Sequence, residues 1–333
     1  MSEKTNFNYK TVLITGGAGF IGSNIAFYLQ TNFPKCNIII FDKFRDEQIF
    51  TNGNLQSFGH YANLIGFKGD VICGDICSKE DLLLLEKYNI DYIFHQAAIS
   101  DTRVYDQKMV MKSNINSFYD ILNLTLDNNA TLIYASSAAV YGDLTSPQMV
   151  GKESPQNPYG YSKYAMDQIA KDYISKYKNL KIFGLRYFNV YGPGEFYKNK
   201  TSSMIIQLAH QILSEETAGL FNDSDSIYRD FIYIDDVVEA NILCCSSKNS
   251  GIYNIGTGQP ESFESIVKFL QDHLGRCKIK YFENPYKEGY QYHTQAEIDK
   301  TSKGIKFKAK VNLEEGVKRY IPYLKKMNGR NKI

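Results

Sequence analysis

Short apolar runs typical of β-strands alternate with longer helical patterns through residues 11–188, and this alternation constrains the fold more than any other feature of the sequence. The strand patterns are TVLIT (11–15), NIIIFD (37–42), DVICGD (70–75), DYIFHQ (91–96), TLIYAS (131–136) and LKIFGLRYF (180–188). The helical patterns between them lie near 20–32, 79–88, 107–127 and 158–177. This order predicts a doubly wound α/β fold, in which a parallel sheet has helices on both faces and binds its ligand beyond the carboxyl ends of the strands.

After Phe188 the alternation gives way to a different order of elements. These are a loop (NVYGPGEFYKNK), a helix near 202–215, a short strand (LFND), the segment YRDFIYIDD, a further helix, the strand GIYNIG, which could return to the sheet, and a helix from Leu313 towards Lys326. No linker-like stretch separates them from the first part. The sequence therefore predicts a Rossmann-type domain with a smaller C-terminal lobe interleaved with it: 1–188 plus 229–258 for NAD(P) binding, and 189–228 plus 259–333 for substrate binding.

Charge and composition exclude several classes of protein. The 333 residues carry 38 basic and 36 acidic side chains, a net charge of +2 that indicates neither a nucleic-acid groove nor a membrane surface. No apolar run approaches the roughly 18 residues of a membrane span. The six cysteines form no paired CxxC motifs, and the five histidines form no HxxxH motif. We expect a cytoplasmic protein with reduced thiols and no catalytic metal.

The first strand pattern runs directly into a glycine-rich turn, and an apolar helical pattern follows. Gly16, Gly19 and Gly22 give the spacing GxxGxxG. Glycines allow the backbone to turn tightly and approach a pyrophosphate, which then lies at the positive end of the helix. Asp42 ends the second strand pattern, where a ribose hydroxyl needs an acceptor. Together these residues predict a dinucleotide site.

The residues after the second strand leave the choice of dinucleotide open. Asp42 alone favours NAD, because a carboxylate repels a 2′-phosphate. Lys43 and Arg45 stand beside it, however, and either could neutralise and bind that phosphate.

A tyrosine and a lysine are one turn apart at the start of the fourth helical pattern. Asn157 is a suitable cap and Pro158 a suitable first residue, so Tyr159 and Lys163 share one face of the helix. The lysine ammonium and an oxidised nicotinamide would both lower the pKa of Tyr159 from its usual value of about 10. Tyr159 could then act as a general base on a substrate hydroxyl.

The YxxxK spacing is weak evidence alone, because Tyr177 and Lys181 match it as well. The segment ASSAAVYG at the end of the fifth strand pattern distinguishes Tyr159, since it places Ser136 and Ser137 at the same edge of the sheet. One of these serines could bind the reacting oxygen.

These motifs resemble the extended short-chain dehydrogenase/reductases and, in detail, the ADP-L-glycero-D-manno-heptose 6-epimerase family. The resemblance covers almost the whole chain and rests on TGGAGFIGSNI (15–25), ASSAAVYG, NPYGYSK (157–163), LRYFNVYGPGEFYK (185–198), LF (220–221), RDFIYIDDV (229–237), NIGTG, ESF and YQYHTQA (290–296). The discriminating part is the combination of RYFNVYGP, ESF and the late YQ..TQA.

The resemblance implies an isomerase of lipopolysaccharide core precursor synthesis that inverts C6 of an ADP-heptose. A tightly bound NADP, or NAD as the alternative, would accept a hydride from C6 and return it to the opposite face. Tyr159 would be the first acid/base, with Ser137 and Lys163 beside it, and Lys198 the second, with Lys200 as a fallback. From the residues alone, both lysines could equally bind the nucleotide diphosphate or be solvated loop charges.

The resemblance also implies the contacts to cofactor and substrate. The implied cofactor residues are Gly16, Gly19, Phe20, Ile21, Gly22, Asp42, Lys43, Gln96, Ala97, Ala98, Ile99, Ser100, Asn114, Lys163, Val190 and Lys198. The implied substrate residues are Asn189, Lys200, Gln207, Phe221, Asn222, Asp223, Ser224, Arg229 and Tyr290. For Asn114 and Phe221 a packing or capping role is at least as good an interpretation. Departures from the family are Gln207, where members often have His, and Lys200, where a small or basic residue varies; the loop from Asp42 to Gly59 is also longer.

Two other functions stay open. A 4-epimerase for nucleotide sugars would use the same tyrosine and serine, whereas a 4,6-dehydratase is disfavoured because Ala138 and Ala139 replace its Asp-Glu pair. A non-catalytic NAD(P)-binding sensor or scaffold would be expected to lack part of the Ser, Tyr and Lys set. The resemblance further implies a homo-oligomer, with a pentamer as its form.

Overall fold

The computed structural model describes residues 5–284 and 291–329. In chain order its strands are β1 (Thr11–Thr15), β2 (Asn37–Asp42), β3 (Asp70–Cys73), β4 (Tyr92–His95), β5 (Thr131–Ser137), β6 (Lys181–Tyr187), β7 (Asn189–Tyr191), β8 (Thr217–Phe221), β9 (Tyr228–Tyr233), β10 (Gly251–Ile255), β11 (Pro260–Ser262) and β12 (Lys278–Phe282). The α-helices are α1 (Phe20–Asn32), α2 (Lys79–Leu83), α3 (Gln107–Met111), α4 (Ser117–Asp127), α5 (Pro158–Lys176), α6 (Met204–Glu215), α7 (Ile234–Ser246), α8 (Phe263–Leu274), α9 (Asp299–Ile305) and α10 (Leu313–Asn328).

Seven strands form the central sheet, in the order β3-β2-β1-β4-β5-β6-β10. Every neighbouring pair is parallel. Strand order reverses between β1 and β4, which leaves a crevice at the carboxyl ends of the strands. The predicted doubly wound α/β fold is confirmed, and GIYNIG does return to the sheet as β10.

Alternating side chains of the central strands explain why helices cover both faces of the sheet. In β2, Ile38 and Ile40 pack into one apolar cluster, whereas Ile39 and Phe41 pack into the other. A strand that is apolar on both faces must be covered twice, since each exposed face would leave a continuous apolar surface in water. Helices α1 and α7 contribute to the first cluster, and α4 and α5 to the second.

The remaining strands form two smaller sheets. Strand β9 pairs in parallel with β7 and antiparallel with β11, and β8 pairs in parallel with β12. The predicted division assigned 229–258 to the first domain. Within that range, β9 pairs outside the central sheet while β10 pairs inside it, so the exact domain division stays a prediction.

Two helical predictions differ from the structure in detail. The pattern near 79–88 yields α2 of only five residues, after which the amides of Leu84, Leu85 and Glu86 bond three residues back. This tighter winding buries Leu85 and leaves Leu83 exposed. The single helix predicted over 107–127 is interrupted by a π-helical turn, Lys112–Asn116.

A buried ion cluster joins the ends of β5 and β6 to α5. The Arg186 guanidinium has no solvent exposure and lies 2.8 Å from Asp167 and 2.7 Å from Glu153. The hydroxyls of Tyr134 and Ser136 donate to the same Asp167 carboxylate, at 2.7 and 3.0 Å. Because both strands end at the crevice, this cluster fixes the position of α5 relative to it.

Within residues 5–284 and 291–329, no helix has both the length and the apolar character needed to cross a membrane. The same residues contain no group of three or more His, Cys, Asp or Glu side chains arranged to hold a metal ion. All six cysteines are free thiols.

Candidate active site

A cleft of about 670 Å³ opens at the carboxyl ends of the central strands, as the fold predicts. It brings together most of the residues that the sequence singles out. Those that line it are Gly16, Gly19, Phe20, Ile21, Gly22, Asp42, Lys43, Gln96, Ala97, Ala98, Ile99, Ser100, Ser136, Ser137, Tyr159, Lys163, Val190 and Lys198.

The glycine turn packs so closely against neighbouring backbone that it has no room for side chains. Gly16 has φ of +68°, and a Cβ there would lie 2.7 Å from the backbone nitrogen of Ala97. A Cβ at Gly22 would lie 2.3 Å from the Gly16 carbonyl oxygen. No side chain caps the first turn of α1 at Gly19. The turn therefore fits a dinucleotide phosphate, because backbone amides and the positive helix end face the cleft.

Asp42 braces this turn from the end of β2. Its carboxylate accepts hydrogen bonds from the amides of Ala18, at 2.9 Å, and Phe44, at 2.8 Å. Burial raises the pKa of Asp42, and these two amides oppose the shift. A carboxylate has about four acceptor sites, so Asp42 keeps capacity for a ribose hydroxyl.

The two basic residues after Asp42 occupy different places. Lys43 lines the cleft, and its ammonium lies 3.8 Å from a carboxylate oxygen of Asp75. The Arg45 guanidinium instead donates to the carbonyl oxygen of Tyr197 and is not among the lining residues. Of the two, Lys43 is the one available to a ligand in the cleft.

Tyr159 and Lys163 lie on α5 as the sequence predicts. The Asn157 side chain caps this helix by accepting from the amide of Gly160 at 2.8 Å. The Lys163 ammonium is buried, donates to the carbonyl oxygen of Ala135 at 2.7 Å, and lies 6.0 Å from the centre of the Tyr159 ring. Burial lowers the pKa of Lys163 to about 8. The pKa of Lys163 is therefore closer to neutral pH than that of a lysine in water.

The expected lowering of the Tyr159 pKa is not found in the protein alone. Burial raises the pKa of Tyr159, and a hydrogen bond between the Tyr159 and Ser137 side chains opposes that shift. A phenolate at neutral pH would therefore need a further positive charge near Tyr159.

The adjacent serines at the end of β5 have separate partners. Ser136 is buried and donates to Asp167 at 3.0 Å, as part of the ion cluster. Ser137 accepts from the amide of Ala139 at 3.1 Å and bonds the Tyr159 side chain. The structure thus assigns the tyrosine partner to Ser137.

The two candidate lysines after GPGE, Lys198 and Lys200, occupy different places. Both lie in the 3₁₀-helical segment Phe196–Thr201, but Asn199 between them has φ of +51°. Lys198 lines the cleft with its ammonium 5.9 Å from the Phe20 ring, whereas Lys200 is exposed and does not line it. Burial lowers the pKa of Lys198, and the charges of Glu195 and Asp101 oppose this. Geometry therefore favours Lys198 over Lys200.

Asn114 does not line the cleft, and its predicted contact with the cofactor stays a prediction. Its side chain accepts from the Ile99 amide and donates to the Ile99 carbonyl oxygen, both at 2.9 Å, and also donates to Ser162. The π-helical turn directs this side chain inward. Asn114 thus holds Ile99, which does line the cleft.

The predicted substrate residues that the structure describes do not line this cleft. Asn189 is exposed at the start of β7, and Gln207 on α6 donates to the Ser202 carbonyl oxygen at 2.7 Å. Ser224 donates to Glu264 at 2.8 Å. The other members are Phe221, Asn222, Asp223 and Arg229 at β8 and β9, and Tyr290, which lies outside the described residues.

Sequence reasoning missed a set of lining residues in the loops after β2 and β3. The rule that ligands bind at carboxyl ends of strands could have found the group after β3, since it directly follows DVIC. These residues are Gln56, Ser57, Phe58, Gly59, Asp75, Ile76 and Cys77.

Residues 12–256 match the NAD dependent epimerase/dehydratase family. The chain belongs to this family. It is 36% identical to an ADP-L-glycero-D-manno-heptose-6-epimerase of Brachyspira hyodysenteriae over 96% of this chain and 99% of the relative. The family resemblance inferred from the motifs is confirmed.

Solved structures of family members superpose on the whole molecule. The crystal structure of ADP-L-glycero-D-manno-heptose-6-epimerase from Helicobacter pylori is 45% identical, with a TM-score of 0.87 and coverage of 96% of this chain and 97% of that one. UDP-glucose 4-epimerase of Thermotoga maritima, solved with UDP-glucose, is 26% identical with a TM-score of 0.84, covering 95% and 99%. Epimerases acting at different sugar carbons thus share this fold.

We expect Ser137→Ala to raise the pKa of Tyr159 further, because it removes the hydrogen bond that favours the phenolate. The measurement is a pH titration of ¹³C-labelled tyrosine by NMR in the protein without cofactor, with Tyr159→Phe assigning one resonance among the 26 tyrosines. Ser136→Ala is the matched control, since Ser136 bonds Asp167 and should leave the Tyr159 resonance unchanged. An unchanged pKa in Ser137→Ala contradicts the assignment of this hydrogen bond.

Proposed function

We propose that this protein interconverts ADP-D-glycero-D-manno-heptose and ADP-L-glycero-D-manno-heptose by transient oxidation at C6, as a step in lipopolysaccharide core precursor synthesis. The observation that carries the proposal is that Tyr159 with Ser137, and Lys198 from the segment after β7, line one cleft. The names and high coverage of the Brachyspira and Helicobacter relatives support the choice of substrate.

The chemistry explains why an epimerase of this kind needs a nicotinamide cofactor. C6 of the heptose bears a hydroxyl but has no neighbouring carbonyl, so its C–H bond is too weakly acidic for direct deprotonation. A nicotinamide bound in the cleft supplies a hydride acceptor, and then a donor, for that carbon. Tyr159 accepts the hydroxyl proton, while Ser137 holds the same oxygen.

Inversion requires a second acid/base. Once C6 is planar, rotation about the C5–C6 bond carries the carbonyl oxygen away from Tyr159. Lys198 enters the cleft from another part of the chain and protonates that oxygen as the hydride returns. Burial lowers the pKa of Lys198 and raises that of Tyr159. The shift of Lys198 favours its neutral amine, whereas the shift of Tyr159 opposes the phenolate that must accept the hydroxyl proton, so the positive charge of an oxidised nicotinamide would be needed beside Tyr159.

For the cofactor we propose NADP, with NAD as the alternative. Lys43 is exposed at the cleft beside Asp42 and can pair with a 2′-phosphate, whereas Asp42 accepts from a ribose hydroxyl. The residues proposed to bind the cofactor are the cleft-lining members of the predicted set; Asn114 acts through Ile99.

For the substrate we propose the residues of the smaller lobe named above, with Arg229 on the diphosphate because its planar guanidinium binds phosphate oxygens in pairs. The division into a nucleotide-binding domain and a substrate-binding lobe, the homo-oligomer with a pentamer as its implied form, and the cytoplasmic location remain predictions.

A 4-epimerase is the second candidate, because UDP-glucose 4-epimerase of Thermotoga maritima superposes with a TM-score of 0.84. Its chemistry also uses a tyrosine and a serine at the cleft. The two candidates differ in the carbon that inverts, so NMR of the product after incubation with ADP-heptose and with UDP-glucose separates them.

We expect deuterium placed at C6 of ADP-heptose to remain on C6 after inversion, because the hydride leaves and returns without exchange with water. The measurement is NMR of the equilibrated epimers, together with a parallel reaction of unlabelled substrate in D₂O. Incorporation of solvent deuterium at C6 would contradict the proposal, because it would indicate that C6 loses a proton to water and not a hydride to the cofactor. Inversion of UDP-glucose at C4, with ADP-heptose untouched, would favour the second candidate.

We expect Lys198→Met to lower the rate of epimerisation by about 10²–10⁴-fold, the usual contribution of a general acid or base. Lys200→Met is the matched control and should retain activity, because Lys200 is exposed outside the cleft. Turnover is measured by NMR, and folding by thermal unfolding. Full turnover of the Lys198 variant, or loss confined to the Lys200 variant, refutes the assignment.

We expect Lys43→Ala to weaken NADP binding by roughly tenfold or more, because it removes a charge-assisted hydrogen bond to the 2′-phosphate. NAD binding should change little, so calorimetric titration of the protein freed of nucleotide with each cofactor measures the ratio. Equal losses for NADP and NAD would show that Lys43 does not read this phosphate.

A further inference from the structure

The segment that carries Lys198 is held by a buried carboxylate that the proposed chemistry does not use. Glu195 ends the GPGE motif and has no solvent exposure. One carboxylate oxygen accepts from the Gly192 amide at 3.1 Å, the Ser203 hydroxyl at 2.9 Å and the Tyr320 hydroxyl at 3.1 Å. The other accepts from the Ser203 amide at 2.6 Å. Four donors thus converge on one side chain.

These donors lie on both sides of the lysine segment. Gly192 precedes Phe196–Thr201 and Ser203 follows it, so the carboxylate ties the two ends together. The Lys198 amide also donates to the Glu195 carbonyl oxygen at 3.0 Å, which starts the 3₁₀ turn. At the far end, Ser203 caps α6 by accepting from the Ile206 amide. The segment is therefore a closed loop with Glu195 at its base.

Helix α10 supports the same base from the C-terminal part of the chain. Tyr320 supplies one of the four donors, and the backbone of Gly194 and Phe196 lies close enough to the Tyr323 hydroxyl to oppose the rise in its pKa on burial. Lys198 thus depends on contacts with residues far away in sequence.

The negative charge of Glu195 also interacts electrostatically with the Lys198 ammonium. All four donors are neutral groups, so they solvate the carboxylate without cancelling its charge. Burial raises the pKa of Glu195, while the donors and Lys198 oppose the shift. In return, Glu195 and Asp101, which faces the lysine from the loop after β4, stabilise the Lys198 ammonium against burial.

We propose that Glu195 is the positioning residue for Lys198: it clamps both ends of the loop so that the ammonium enters the cleft opposite Tyr159. The inference rests on the proposed role of Lys198 as the second acid/base. Glu195 itself touches neither substrate nor cofactor in this assignment.

The test exploits an asymmetry of the proposed reaction. With one pure epimer the first proton goes to Tyr159, and with the other it goes to Lys198. Mixing the holoenzyme with each epimer and following the absorbance of reduced nicotinamide therefore measures the two groups separately. Lys198→Met identifies which epimer depends on the lysine.

We expect Glu195→Gln to slow cofactor reduction by that same epimer by up to about a hundredfold, the effect of a displacement of about 1 Å in a catalytic group. Reduction by the other epimer should be unchanged. The limb of the pH profile that belongs to Lys198 should move to lower pH, because the ammonium loses one of its two neighbouring anions while Asp101 remains. In the cofactor-free Glu195→Gln variant, the amide hydrogen of Ser203 should exchange with solvent faster than in the unchanged protein.

Asp236→Asn is the matched control. Asp236 is another buried carboxylate that accepts backbone amides, from Lys310 and Val311 at 3.0 Å, but it holds no catalytic candidate. Asp236→Asn should change the rate of cofactor reduction equally for both epimers. If Glu195→Gln does not fold, Tyr320→Phe removes a single donor and should show the same asymmetry at smaller size.

Equal slowing with both epimers, or no slowing with either, overturns the positioning role of Glu195. If Lys198→Met leaves reduction by both epimers intact, the second acid/base of the proposed function fails, whatever Glu195 does. If Lys198→Met slows reduction by one epimer only, while Glu195→Gln does not, the proposed function is retained and only the positioning role of Glu195 is rejected.

Discussion

A guanidinium without solvent exposure holds together the elements that carry the first half of the site. Arg186 on β6 pairs with Asp167 on α5, and Ser136 at the end of β5 donates to the same carboxylate. A buried charge that loses a partner costs several kcal/mol, so the three elements are strongly favoured to meet at this point. Ser137 follows Ser136 directly, and Lys163 lies one helical turn before Asp167. The cluster thereby fixes both relative to Tyr159.

Burial then sets the proton chemistry of the cleft. It raises the pKa of Tyr159 and lowers that of Lys163 to about 8. Both shifts favour the neutral form of the side chain, and they move the pKa of the phenol and that of the amine apart, because the two values are similar in water. Ser137 opposes the shift of Tyr159. The protein alone therefore does not favour a phenolate at neutral pH; in the function proposed above, the positive charge of an oxidised nicotinamide in the cleft would supply what is missing.

Features set by local sequence could be predicted, and features set by distant contacts could not. The strands, the glycine turn and the α5 cap follow from periodicity, glycine spacing and Asn157, which act within a few residues. The contact of Asn114 with Ile99 could not be predicted, because Ile99 lies across a loop and a π-helical turn directs the side chain inward. Arg45 turned away from the cleft because its acceptor is the carbonyl of Tyr197. The sequence around Asn114 and Arg45 does not indicate that Ile99 and Tyr197 are their partners.

The two proposed acid/base groups differ in how the chain makes them rigid. Tyr159 lies in the first turn of a capped helix of 19 residues, so its position follows from regular backbone geometry. Lys198 lies in a short 3₁₀ segment beside the positive φ of Asn199, where regular hydrogen bonding provides little support. Sites on helices are more precise than sites on loops unless other contacts hold the loop. The carboxylate of Glu195 accepts a hydroxyl from 125 residues away and so supplies such contacts to the loop that carries Lys198.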